Sequence, residues 1–143
     1  MATVRIFLPT HRRPQLLPRA IASLRAQTFP DWICELHNDD PADPAPAQLV
    51  AQLADPRISL VTHERNLGGT AAFNQFFRAT TEPFYSMLED DNWWEPTFLQ
   101  VMLDAARAPS GCDRLLGQHA LMGGIGRRNV ARYPAAGVAD RGK

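Results

Sequence analysis

Phe84-Tyr85-Ser86-Met87-Leu88-Glu89-Asp90-Asp91-Asn92-Trp93-Trp94-Glu95-Pro96 is an apolar, strand-like run that ends abruptly in three carboxylates. Three adjacent acids repel one another unless a cation sits among them. An oxygen-only donor set of this kind suits a hard divalent ion such as Mg²⁺ or Mn²⁺, which also binds phosphate oxygens. The same triplet fits a solvated acidic loop that caps the next helix. A second stretch of the same design favours the first reading: Trp32-Ile33-Cys34-Glu35-Leu36-His37 runs into Asn38-Asp39-Asp40-Pro41-Ala42-Asp43. Two strands that both end in carboxylates fit an open α/β sheet, where ligands bind at the carboxyl ends of strands near a topological switch point. The acids of both turns then face one crevice.

Outward from these two runs, strands and helices alternate. Val4 to Leu8 is a β-prone run stopped by Pro9, and Arg13-Pro14-Gln15 opens a helix whose apolar positions Leu16, Leu17, Ala20, Ile21 and Leu24 recur at helical spacing. Pro46 to Ala54 reads as a short helix and Ile58 to Thr62 as the third strand. Gly68-Gly69 marks a turn before a helix over Thr70 to Ala79, Phe84 to Leu88 is the fourth strand, and Thr97 to Ala106 is a helix. This alternation implies βαβ units and a mainly parallel sheet with helices on both faces.

The length of 143 residues suits one core, able to bury roughly two-thirds of the unfolded surface. The formal net charge is zero, but residues 1–105 carry net −5 and residues 106–143 net +5. Seven of the nine glycines also follow residue 110, and hydrophobic periodicity weakens there. The expected division is therefore a packed unit over residues 1–108 and a basic Gly/Arg-rich tail over 109–143, either disordered or the remnant of a further half. Arg127, Arg128, Arg132, Arg141 and Lys143 lie in that tail. Cys34 and Cys112 lack CxxC spacing and read as reduced, structural thiols. No run approaches the ~18 apolar residues of a spanning helix, and no signal-peptide core opens the chain. A soluble cytoplasmic protein is expected.

Five motifs in order, Pro9-Thr10-His11-Arg12-Arg13-Pro14, Ala26-Gln27-Thr28-Phe29-Pro30-Asp31-Trp32, Asn38-Asp39, Arg65-Asn66-Leu67-Gly68-Gly69 through Asn74, and Leu88-Glu89-Asp90-Asp91-Asn92-Trp93-Trp94-Glu95-Pro96, together resemble family 2 glycosyltransferases of the GT-A fold. The resemblance covers roughly residues 3–105. It implies a UDP- or dTDP-sugar donor, a divalent cofactor (Mn²⁺ or Mg²⁺), and transfer to an acceptor with inversion at the anomeric carbon.

The resemblance also implies roles. Thr10 lies against the nucleoside, although its hydroxyl equally suits a helix cap. Asp39 accepts from the imide N–H of uracil or thymine, a single donor between two carbonyls. Asp90 contacts ribose or sugar, and Asp91 binds the metal. Arg65, Asn66 and Asn74 serve the base, the pyrophosphate or the neighbouring loop. Two positions depart from the family pattern: Asp40 stands where Gly is commoner, and Glu89 where Asp is usual. Gly68 and Gly69 allow positive φ or close backbone approach, or form an ordinary turn. Trp93 and Trp94 suit sugar stacking or core packing, with packing expected for at least one. His11, His37, His63 and His119 show no metal-ligand spacing and read as surface or satisfied core residues.

Inverting transfer needs a general base to take the acceptor's proton. In similar enzymes it comes from the acceptor-binding half. The tail offers only Asp113 and Asp140, and neither sits in a recognisable acceptor motif. The chain accordingly reads as the donor-binding half of such an enzyme, its catalytic base unassigned and its acceptor unknown; the other reading is a catalytically inactive nucleotide-binding or interaction module. An exposed sheet edge would allow self-association. A phosphoryl-receiver domain is disfavoured, because its acids would follow the first strand. A dinucleotide oxidoreductase lacks its GxGxxG, and nucleic-acid binding has only the basic tail in its favour.

Overall fold

A computed structural model describes residues 2–78 and 80–107, with the backbone of residues 114–115 and 121–123. The elements are β1 (Val4–Thr10), α1 (Leu17–Arg25), β2 (Trp32–Asn38), α2 (Ala45–Leu53), β3 (Ile58–Thr62), α3 (Gly69–Asn74), β4 (Phe84–Met87), α4 (Phe98–Arg107), β5 (Arg114–Leu115) and β6 (Leu121–Gly123). They form one sheet in the order β3-β2-β1-β4-β6-β5. The first four strands are parallel, and β6 and β5 add antiparallel at the β4 edge. The sheet thus takes two short strands from the stretch read above as tail. Arg127, Arg128, Arg132, Arg141, Lys143, Cys112, His119, Asp113 and Asp140 lie outside the described residues.

The sheet divides its side chains by period two. One face carries Val4, Ile6, Leu8, Cys34, Leu36, Ile58 and Leu88, packed under Leu17, Ala20, Ile21 and Leu24 of α1 and Leu99 and Leu103 of α4. Leu49, Val50 and Leu53 of α2 close the same layer. Burial pushes the Cys34 thiol pKa up, so it behaves as a small apolar side chain. The opposite face is mixed: the ring of Phe7 lies 4.4 Å from that of His37 and 6.1 Å from that of Phe76, and Arg5 forms ion pairs with Glu35 and Glu82. Phe76 belongs to a 3₁₀ turn, Gln75–Phe77, that continues α3.

Several boundaries differ from expectation: α1 opens at Leu17 rather than at Arg13-Pro14-Gln15, and two other shifts have a readable cause. β1 continues through Pro9 to Thr10. Its pairing with β4 ends at Phe7, so at Pro9 only β2 pairs with β1, the edge condition under which proline is tolerated. The helix expected over Thr70 to Ala79 ends at Asn74, tightens to 3₁₀, and becomes extended at Arg78. Among the described residues no helix is long and apolar enough to cross a membrane.

Candidate active site

The strand order places β2 and β3 on one side of β1 and β4 on the other, so the connections reverse direction at β1. Carboxyl ends of strands diverge at such a point and leave a crevice. Thr10 ends β1 there, and the chain leaving β4 brings Asp90 opposite it. Thr10 Oγ1 donates to Asp90 Oδ2 at 2.8 Å, and both residues are buried. The hydroxyl therefore spans the switch point. It does not cap α1, whose N-cap is Leu16.

The β1–α1 loop crosses the mouth of the crevice. Arg12 takes a left-handed φ of 54° and pairs with Asp40. That turn aims the next residue, Arg13, at the acidic motif: its Nη1 lies 3.1 Å from Asp90 Oδ1 and 2.9 Å from Asp91 Oδ2. Arg19 of α1 donates to the Asp91 carbonyl at 2.7 Å and stacks over the Trp93 ring at 4.5 Å. Three arginines thus surround the acids, each with a different task.

After β2, Asn38 and Asp40 build the turn through their own side chains: Asn38 Oδ1 accepts from Asp40 N–H and Asp40 Oδ1 from Ala42 N–H, both at 3.0 Å. The Arg12 guanidinium, followed by the Ala42 N–H, holds the Asp40 carboxyl below the usual range. An acid here suits a turn that must also anchor Arg12, which accounts for the departure from glycine. Asp39 is buried and reaches across to the β3–α3 loop. Its Oδ1 accepts from Leu67 N–H (2.8 Å) and pairs with His63 Nδ1 (3.0 Å), and its Oδ2 accepts from Gly68 N–H (3.2 Å). Burial alone would raise its pKa, but the His63, Leu67 and Gly68 hydrogen bonds outweigh it and the carboxyl is held below its ordinary value.

The loop that Asp39 clasps is shaped by Gly68, with φ 76° and ψ 157°, a conformation essentially confined to glycine. Asn66 Oδ1 also accepts from Gly68 N–H at 2.7 Å, while Asn66 Nδ2 lies 3.2 Å from His11 Nδ1. Gly69 has ordinary φ and open space at its Cβ position, so of the two glycines only Gly68 is required by the backbone.

The Ala26-to-Trp32 motif has a structural task. Buried Gln27 donates to Glu95 O (2.8 Å) and Ser23 O (3.2 Å), and its Oε1 accepts from Leu99 N–H at 3.0 Å. Thr28 N–H adds a bond to Pro96 O at 2.8 Å. The end of α1 thereby clamps the loop that carries the acids and caps α4 from 72 residues away. Trp94 packs at 3 % exposure and stacks on Phe98, whereas Trp93 is 51 % exposed under Arg19.

Of the residues singled out from sequence, Thr10, Asp39, Asp90 and Asp91 converge on the crevice. Arg65, on the β3–α3 loop, and Asn74, at the distal end of α3, are exposed and stand outside the hydrogen-bond cluster that links the other four. Arg13 and Gln27 were quoted from sequence only as motif members and His63 as a surface or satisfied histidine, and the structure gives each a specific partner at the site. His63 had a readable signal: β3 pairs with β2 through Asn38↔Thr62, so the residue after Thr62 lies beside the residue after Asn38, which is Asp39.

The donor chemistry fits a divalent ion. Asp90 and Asp91 offer oxygen only, and their carboxylates already converge on a single cationic nitrogen. Among the described residues no group of three or more His, Cys, Asp or Glu side chains gathers at metal-binding distance. The protein's share of an ion's ligands would be small, leaving positions for water and phosphate oxygens, the habit of Mg²⁺ at phosphate sites.

An open parallel sheet with acids at its carboxyl edge and a switch point at β1 defines a doubly wound type of α/β domain whose ligand crevice lies at that edge. The chain belongs to glycosyl transferase family 2, whose family model matches residues 5–113. It is 32% identical over 101 residues to WcaA of Escherichia coli (strain K12), named as a colanic acid biosynthesis glycosyl transferase; the match covers 70% of this chain and 36% of that one. The fold is that of GT-A glycosyltransferases. The mannosyltransferase PcManGT of Pyrobaculum calidifontis, solved with GDP-Man and Mn²⁺, superimposes with TM-score 0.65 at 18% identity, covering 76% of this chain and 33% of that chain. TarS of Staphylococcus aureus, solved with UDP-GlcNAc, gives TM-score 0.61 at 18% identity, covering 74% and 31%. The chain thus spans about a third of the length of these relatives.

Proposed function

We propose that this domain binds a nucleoside diphosphate sugar, together with Mg²⁺ or Mn²⁺, as the donor-binding part of an inverting glycosyltransferase. The observation that carries this reading is the Thr10–Asp90 hydrogen bond across the switch point, with Asp91 beside it and Asp39 on the neighbouring turn. Asp39 holds Leu67, Gly68 and His63, and its ionised carboxylate keeps lone-pair capacity for one more donor, the role suited to a base imide. Thr10 fixes one oxygen of Asp90 and so orients the other outward. Asp91, half exposed, faces the solvent side where a diphosphate enters. When bound, the divalent ion would neutralise charge on the departing diphosphate.

Residues 1–108 form the donor unit in this proposal, with β6 and β5 extending its sheet edge. The acids of the crevice are engaged in holding loops or assigned to donor and ion, so none is assigned as the general base, and the acceptor is left open.

Calorimetric titration of UDP, dTDP and GDP into the purified chain, with and without Mn²⁺, tests this. Binding should require the ion and be lost in Asp91→Ala, while Asp39→Ala should weaken it for the uracil and thymine nucleotides. A folded chain that binds none of the three would overturn the proposal.

A further inference from the structure

We propose that Arg13 competes with a divalent ion for the carboxylates of Asp90 and Asp91, so that ion binding is coupled to release of the Arg13 side chain. The inference rests on the reading of these two acids as the ion's protein ligands.

A guanidinium usually grips a carboxylate through two of its nitrogens in a fork. Here a single nitrogen, Nη1, bridges two separate acids at 3.1 and 2.9 Å, and the side chain acts as a point charge between them. Competition follows from how the oxygens are assigned. Asp90 is buried and its Oδ2 is committed to the Thr10 hydroxyl, leaving Oδ1 as the oxygen that meets a cation, and Arg13 is on it. An ion that takes Oδ1 must displace the guanidinium or lie against it, and like charges at that separation repel.

Arg13 can leave. Its side chain is 50 % exposed, and water solvates a guanidinium well at such a position. The other arginines cannot substitute for it. Arg12 is committed to Asp40, and Arg19 bonds to the Asp91 carbonyl while stacked on Trp93. Arg19 therefore keeps the backbone of the motif in place when Arg13 departs, and the two carboxylates remain presented to whichever cation they hold.

The test is Mn²⁺ binding by the purified chain, followed by electron paramagnetic resonance of the free ion, for the wild type, Arg13→Gln, Arg12→Gln and Asp91→Ala. Circular dichroism checks that each variant is folded. Arg13→Gln should bind Mn²⁺ about tenfold more tightly, since its loss removes a charge-assisted contact to each acid. Arg12→Gln should tighten binding by far less, since its guanidinium meets Asp40 and neither of the two acids. A measurement on the wild type is independent of any folding defect: in ¹⁵N-arginine-labelled chain the Arg13 side-chain resonance should move toward its solvent-exposed position as Mg²⁺ is added. Equal or weaker Mn²⁺ binding by a folded Arg13→Gln, or an Arg13 resonance indifferent to Mg²⁺ while the ion binds, overturns the inference and leaves the ion site standing. If no folded variant binds the ion and Asp91→Ala is indistinguishable from wild type, the ion site itself falls, and this inference with it.

Discussion

Gly68 shows how one atom decides a local structure. A Cβ at this position would meet nothing closer than Asn66 Oδ1 at 4.0 Å, so crowding is no obstacle. The obstacle is backbone conformation, which costs a non-glycine residue about 1–3 kcal/mol. Gly68→Ala should lower stability by that amount in chemical denaturation, while Gly69→Ala, at the start of α3, should be neutral or slightly stabilising. From sequence the two glycines were indistinguishable, because the dipeptide announces a turn without saying which residue crosses to positive φ. Asp39, Asp90 and Asp91 stood out in the sequence because each follows a strand-like run, and the structure brings them to one crevice. Arg13 did not. Its importance arises from Arg12, whose left-handed backbone turns the following side chain toward acids some 77 residues further along.

At the level of elements, the loop after β4 owes its shape to a helix end that precedes it by about seventy residues. Gln27 satisfies the carbonyl of Glu95 and the N–H of Leu99 at once, and the second of these groups is buried. Gln27→Ala should destabilise the fold by about 1–3 kcal/mol, because it orphans those groups. Hydrogen exchange should report faster exchange concentrated at Leu99 and the residues around Asn92 to Pro96, rather than spread over the sheet. If exchange quickens uniformly, the latch is not local. The four parallel strands and the helices between them were read correctly in kind and order, because their periodicity survives in the residues of the core face, whereas β5 and β6 lie in the stretch read as tail. The end of α3 was not read correctly, since a helix over Thr70 to Ala79 has no proline or glycine to stop it and the tightening at Gln75–Phe77 comes with the packing of Phe76 against Phe7 and Tyr85. A clamp such as Gln27, whose partners are backbone atoms, leaves no trace in the identity of those partners.

For the molecule as a whole, part of the acid sensitivity should arise on the mixed face of the sheet. Glu82 is buried, and its hydrogen bonds from Arg5 overcome desolvation to bring its pKa down to about 2 from a reference of 4.5. A carboxylate depressed in the fold adds stability that is complete above its unfolded pKa and is lost as pH falls through the folded value. Between about pH 4.5 and 2 the chain should therefore weaken by about 2–3 kcal/mol from this group alone, on the order of 1.4 kcal/mol for each unit of depression. Glu82→Gln should be less stable at pH 7 and flatter over that interval in urea titrations. A slope unchanged from wild type would show that other carboxylates dominate.

The same ion cluster has a geometric meaning. Arg5 on β1 meets Glu35 on β2 and takes Glu82, just before β4, through two nitrogens, so one side chain ties β1 to β2 and to the segment that leads into β4. Sliding β2 by a single position turns the Glu35 carboxylate to the opposite face, toward the layer of Val4, Ile6 and Leu8, where it would be an uncompensated charge. Arg5 is in this sense a vernier. It reads the alignment of three strands against one another at the end of the sheet remote from the crevice, and so helps decide that Thr10 and Asp90 arrive at the same height.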